Sequence, residues 1–215
     1  MQTFPWFKSI CVAVLLTAVS LQAASAAPAE DAQEFIRDGV DQALTILQET
    51  GPEDPARSSR FRGFVDDVID TRSVALFTLG HYRKGADPAL VNAFVQGFKA
   101  YATASYESRL GLYGGQTITV GDAIARSDTD VLVKGTINNK AGEAVADVAF
   151  RVLDTPRGMR LFDAQVEGIW LAVEQRNQFG SYLAQHNGDL QALIDFLADE
   201  TARLRAKSPD VAVNG

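Results

Sequence analysis

The stretch VLVKGTINNKAGEAVADVAFRVL, Val131 to Leu153, decides the fold. In its first half Val131 and Val133 fall on alternate positions, and in its second half Val148, Phe150 and Val152 do the same. Successive side chains of a strand point to opposite faces, so this spacing predicts half-buried strands over 131–137 and 144–153. Between them, Asn138-Asn139-Lys140-Ala141-Gly142 supplies residues that tolerate tight-turn backbone. A connection this short joins its strands antiparallel.

The same period extends outward in both directions. Ile118 and Val120 predict a strand before the hairpin, and Met159 to Val166, reached through the turn residues Thr155-Pro156-Arg157-Gly158, predicts a fourth after it. On this reading the inward face of the meander carries Val131, Val133, Val148, Phe150, Val152, Phe162, Ala164 and Val166.

Before Gly114-Gly115 the apolar period is helical. Asp87-Pro88 reads as an N-cap followed by proline at the first helical position. From there Val91, Phe94, Val95, Phe98, Tyr101, Ala102, Tyr106, Leu110 and Tyr113 recur at three- and four-residue intervals, an aromatic stripe. Upstream, Phe35, Val40, Leu44 and Leu47 predict an amphipathic helix over 31–49, ended by Gly51-Pro52, and Asp54-Pro55 reads as part of a polar loop. The segment 61–79 predicts two short helices joined at Asp70 and closed by Gly80. After the sheet, Leu183, Leu190, Leu193, Ile194, Leu197 and Leu204 return to helical spacing around Asn187-Gly188. The expected fold class is α+β: one domain over 27–207, a four-stranded antiparallel sheet with its apolar face covered by helices.

The first 26 residues read as a cleavable secretory signal: Lys8 as the only charge, an apolar run from Ile10 to Leu21, and the small-residue stretch Ala23-Ala24-Ser25-Ala26-Ala27. That run is shorter than the roughly 20 apolar residues a membrane span needs. The only cysteine, Cys11, lies inside the signal, so the exported domain has no thiol for a disulfide, a nucleophile or a metal. Cys11 also precedes the apolar core, the wrong order for a lipoprotein. The tail 208–215 has no period and is expected to be disordered.

With Lys+Arg 20 against Asp+Glu 27 the net charge is -7, which argues against nucleic acid and against a polybasic tether to anionic lipid. No P-loop, G-x-G-x-x-G, G-x-S-x-G or H-E-x-x-H occurs. His81 and His186 stand far apart on polar segments without ligand spacing, and no metal or cofactor is expected. Asp163 and Glu167 are an acid pair only if a fold brings them to opposite sides of a cleft. The other reading has them bind backbone N–H groups or Arg176. The glycines 111, 114 and 115, between helix and strand, read as a turn rather than a phosphate cradle.

Several signatures follow one another in a familiar order. Phe77-Thr78-Leu79-Gly80-His81-Tyr82-Arg83-Lys84, then Phe94 and Phe98 to Tyr101, then Tyr113-Gly114-Gly115-Gln116 resemble the MlaC family, also called the toluene-tolerance family. Phe162-Asp163-Ala164-Gln165-Val166-Glu167-Gly168-Ile169 and Arg176-Asn177-Gln178-Phe179 resemble its later blocks, so the likeness runs over about 31–200. Trp170 and Gln175 depart from it: the family commonly has serine and tyrosine there.

The resemblance implies a non-enzymatic, periplasmic lipid-binding shuttle with an elongated apolar cavity between sheet and helices. Its cargo would be phospholipid, received from an outer-membrane lipoprotein and porin complex and delivered to an inner-membrane ABC transporter with an MCE-type periplasmic subunit. That traffic would help maintain outer-membrane lipid asymmetry. With such a cargo, the candidate lining is the inward sheet face named above, together with Phe94, Phe98, Tyr101 and Tyr106 of the aromatic helix and Ile169. The same side chains could instead form a filled core, since pocket and core look alike in sequence. Two alternatives stay open: a paralogue handling hopanoids, with Trp170 narrowing the pocket mouth, and a small periplasmic hydrolase using Asp163 and Glu167.

Overall fold

The computed structural model describes residues 27–51 and 54–207. The expected signal over 1–26 and the expected tail over 208–215 lie outside the described residues. The helices are α1 (Ala27–Glu49), α2 (Pro55–Val68), α3 (Thr71–Leu79), α4 (Pro88–Leu110), α5 (Leu171–Gln185) and α6 (Leu190–Lys207). Between α4 and α5 run β1 (Thr117–Ser127), β2 (Asp130–Asn138), β3 (Ala144–Thr155), β4 (Gly158–Val166) and β5 (Ile169–Trp170).

Helices α2, α3 and α4, like α6 with Asp189, start on an aspartate cap. The carboxylates of Asp54, Asp70 and Asp87 accept the backbone N–H of Ala56 (2.8 Å), Ser73 (3.3 Å) and Ala89 (2.8 Å), each satisfying a donor that the first helical turn leaves unpaired. Asp54-Pro55 is therefore a helix start and not loop, and α2 begins six residues before Phe61, the first apolar position to suggest it.

The five strands form one antiparallel meander in the order β1-β2-β3-β4-β5, the fifth strand being a two-residue extension of the expected four. Glu167 (φ 49°) and Gly168 (φ 81°) make the tight turn into it. β1 runs well past Val120, where alternation stops, because a register shift between Val120 and Ala123 absorbs Gly121 and Asp122 before pairing resumes.

Cross-strand register brings Val131 opposite Val152, Val133 opposite Phe150, Gly135 opposite Val148, and Phe150 opposite Ala164, so these side chains share a face. α1 lies across that face on β1 and β2. Its Ala32 and Ile36 are buried against Val131, Val133 and Val152, and the Gln33 side chain donates to the carbonyl of Gly121 at the register shift. A second core joins α3, α4, α5 and α6, where the Phe179 ring meets Phe94 (5.9 Å) and Phe98 (6.2 Å) edge-on above fully buried Leu183, Leu193 and Leu197.

The two cores meet at β4. A further register shift pairs Val152 with Leu161 and Arg151 with Asp163, leaving Phe162 as the extra residue. Phe162 consequently departs from the inward face assigned to it: its ring packs edge-on against Phe77 at 5.5 Å, with the Arg151 guanidinium 5.1 Å above it. Leu161 and Met159 face the α1 core instead. The α2–α3 link closes on the same spot, Ile69 bridging Leu161 in parallel and the Asp70 N–H donating to the Leu161 carbonyl at 3.1 Å.

Candidate lipid-binding site

Between α1, α2 and the inward sheet face lies a cavity of about 350 Å³ that exposes only apolar surface. α1 contributes Phe35, Val40, Leu44 and Leu47, α2 contributes Phe61, Phe64 and Val68, and the sheet contributes Ile118, Ile137, Phe150 and Leu161. Its rim is Tyr113, Gln116 and Thr117 at the α4–β1 connection. There the Gln116 side chain accepts the Gly114 N–H at 2.8 Å, and Gly115 (φ 94°) leaves room for the Lys140 stem, whose Cγ would stand 3.3 Å from a Cβ. The Gly114-Gly115-Gln116 run thus shapes a cavity rim.

The cavity is hollow because of small residues on a large-residue stripe. Gly39 and Ala43 lie among Phe35, Val40, Leu44 and Leu47 on the cavity side of α1, and a Cβ at Gly39 would meet nothing within 4 Å. With its polar side chains confined to the rim, such a space favours hydrocarbon over charged or hydrated ligands.

A second cavity of about 330 Å³ opens between α4, β4 and α5. Its floor is apolar, with Phe98, Tyr101, Ala102, Leu161 and Phe162, and its rim is polar, with Tyr106, Arg109, Glu174, Gln175 and Gln178. Asp163, 7% exposed, borders it. The Asp163 Oδ1 accepts the N–H groups of Ala164 and Ala172, both at 2.8 Å. It thereby caps the N-terminus of α5, where Trp170 makes no side-chain cap. Burial pushes its carboxyl pKa upward, against the pull of those two N–H groups and of Arg151. Burial likewise raises the Tyr106 hydroxyl, opposed by Arg109 and assisted by Asp163.

The sequence-predicted lining residues divide among six environments. Phe98, Tyr101, Tyr106, Phe162 and Ala164 line the second cavity, and Phe150 lines the apolar one. Val131, Val133 and Val152 are buried in the α1 core, Val148 is buried in the sheet, and Phe94 is fully buried among the helices. Val166 and Ile169 pair at the β4–β5 end, with Ile169 58% exposed. Trp170 belongs to neither lining, although its neighbour Leu171 borders the second cavity. Sequence reasoning overlooked the α1 and α2 walls. The α1 stripe was visible, and Gly39 and Ala43 within it were the sign that it does not pack tight.

Neither member of the proposed acid pair stands free. Asp163 is committed to α5, and Glu167 Oε1 accepts the Asp147 N–H at 2.6 Å. Arg176 reaches neither of them, stacking instead over the Phe77 ring at 5.0 Å. Among the described residues no cluster of His, Cys, Asp and Glu could hold a metal ion.

The structure of a phospholipid-binding protein from Ralstonia solanacearum, solved in complex with a phospholipid, superposes with a TM-score of 0.71 at 26% identity, covering 81% of this chain and 99% of that one. The MlaC protein family matches residues 37–199, from the middle of α1 to the middle of α6, a span that holds the whole sheet and the second cavity and all of the apolar cavity's lining except Phe35 and Ile36. The chain therefore belongs to the MlaC family.

Proposed function

We propose that this chain is a lipid carrier that takes up phospholipid by its acyl chains. The carrying observation is the apolar cavity between α1, α2 and the sheet, whose surface offers a ligand nothing but hydrocarbon contact. Each methylene withdrawn from water contributes about 0.8 kcal/mol, so one tail inserted there is worth on the order of 10 kcal/mol before ordering costs. The Ralstonia relative, which holds a phospholipid in a closely similar fold, supports the same cargo.

The finer reading is a periplasmic shuttle. Family membership and the expected signal over 1–26 support it, with cargo passing from an outer-membrane complex to an inner-membrane ABC transporter and its MCE-type subunit. Water between two membranes makes an escort necessary, since an exposed tail loses the full burial energy. A carrier rather than a hydrolase also suits Asp163 and Glu167, each of which spends one carboxylate oxygen on backbone N–H groups.

The test is mass spectrometry of an organic extract of protein purified from a bacterial host. Recovery of glycerophospholipid near one per chain is the expected result; a hopanoid in its place moves the cargo to the paralogue reading, and a lipid-free protein overturns the proposal. Crosslinking in intact envelopes tests the partners separately.

A further inference from the structure

We infer that Leu161 divides the interior between the two tails of a bound lipid and so sets how much of each tail is accepted. This rests on the carrier reading above and adds a specificity-determining residue to it.

Leu161 borders both cavities. Its backbone is held from two sides: on one by pairing with Val152, on the other by the parallel bridge to Ile69 and the 3.1 Å hydrogen bond from the Asp70 N–H. The wall between the cavities therefore cannot shift as a loop would, and the size of the side chain at this position decides how thick it is. The register shift beside Arg151 is what turns Leu161 toward the α1 core while Phe162, next in the chain, turns toward Phe77.

The volumes make the division consequential. A methylene fills roughly the space of one liquid water, about 30 Å³. Cavities of about 350 and 330 Å³ then each hold on the order of a dozen methylenes, one tail of ordinary length and not two. A two-tailed ligand fills the interior by straddling Leu161, one tail in the wholly apolar cavity and the other along Phe98, Tyr101 and Phe162. Its polar end then lies at the rim of Arg109 and Gln178, where hydrogen-bonding groups are present.

The test uses full-length mature protein offered mixed vesicles of phosphatidylglycerols that carry one palmitoyl tail and a second tail of hexanoyl, decanoyl, palmitoyl or stearoyl length. The protein is re-isolated and its lipid quantified by mass spectrometry. Wild type is expected to enrich the dipalmitoyl species over the palmitoyl-hexanoyl species. Leu161→Phe thickens the wall and is expected to cut that enrichment roughly tenfold or more, the second tail having lost several methylenes of burial. Leu161→Ala thins the wall and is expected to keep the enrichment and extend it to stearoyl tails. Circular dichroism identifies which variants fold, and a folded variant of either kind with the wild-type tail preference overturns the inference. A wild type that takes up none of these lipids overturns the carrier reading instead, so the two failures are distinguishable.

Discussion

Arg176 of α5 lies directly against Gly80 at the end of α3: a Cβ on Gly80 would stand 3.0 Å from the Arg176 Nε. Gly80 also holds φ 57° and ψ -127°, a conformation closed to L residues at ordinary cost. The guanidinium continues over the Phe77 ring at 5.0 Å, so two sequence signatures a hundred residues apart, Leu79-Gly80 and Arg176-x-x-Phe179, are halves of one contact between α3 and α5. Gly80→Ala is expected to cost about 2–3 kcal/mol in urea unfolding, from backbone strain and the displaced guanidinium together. In an Arg176→Ala background the steric part disappears and the strain remains. The double mutant should therefore be less destabilised than the two singles summed, by about 0.5–1 kcal/mol.

Arg57 gives a second stability prediction. It is 3% exposed, and among the described residues it has no carboxylate partner. Its guanidinium donates to the carbonyls of Leu47 (2.6 Å) and Leu110 (3.1 Å) and to the Thr50 hydroxyl (3.2 Å), tying the C-termini of α1 and α4 to α2. Helix C-termini carry partial negative charge and unpaired carbonyls, so this buried cation finds its counter-charge in backbone. Arg57→Ala is expected to cost about 3 kcal/mol or more by leaving these acceptors buried and unpaired. Arg57→Lys should recover only part of that, since an ammonium cannot span three acceptors in a fork. Equilibrium unfolding of the two variants measures both.

The strands that pack on α1 were legible because burial on one face imposes period two, and Asp87-Pro88 and Asp70 were legible because capping is local chemistry. The second half of β1 was not, since Gly121 and Asp122 interrupt its alternation where the strand itself shifts register. The site was harder still. Phe64 and Phe94 look alike in their helices, yet Phe94 is fully buried against Phe98 and Phe179 while Phe64 borders empty volume. Filled or hollow depends on what distant elements place opposite each ring, and spacing along the chain carries no record of that.

Asp163 predicts a pH dependence. Its carboxyl pKa is raised by burial, so between the unfolded value and the folded one the native state binds the extra proton. Its contribution to stability is full below the unfolded pKa and is lost as pH rises through the folded pKa. Asp163→Asn keeps an oxygen for the Ala164 and Ala172 N–H groups and abolishes the titration. Relative to wild type this variant should gain stability as pH rises from about 4 toward 7, a comparison in which the other carboxylates cancel. Asp163→Ala, which leaves the α5 N–H of Ala172 without its acceptor, should be less stable than Asp163→Asn by about 1–3 kcal/mol at every pH. Urea midpoints across that range for the three proteins decide it; a flat difference between Asn variant and wild type refutes the linkage.

Gly39 separates stability from function most sharply. It sits in the interior of α1, where glycine costs about 1 kcal/mol relative to alanine, and it borders the apolar cavity, with nothing within 4 Å of the place a Cβ would occupy. Without a Cβ, the residue leaves that space open. Gly39→Ala should raise stability by about 0.5–1 kcal/mol and leave lipid content near wild type, because one methyl removes little of a 350 Å³ cavity. Gly39→Leu places a branched side chain in the volume itself. It should melt higher than wild type stripped of lipid, having both improved the helix and filled a void, and should carry little or no phospholipid in the organic extract. The two readouts must move in opposite directions: a core that merely happens to be loosely packed gains stability from Gly39→Leu with lipid content unchanged, whereas a cargo cavity gains stability and loses its cargo.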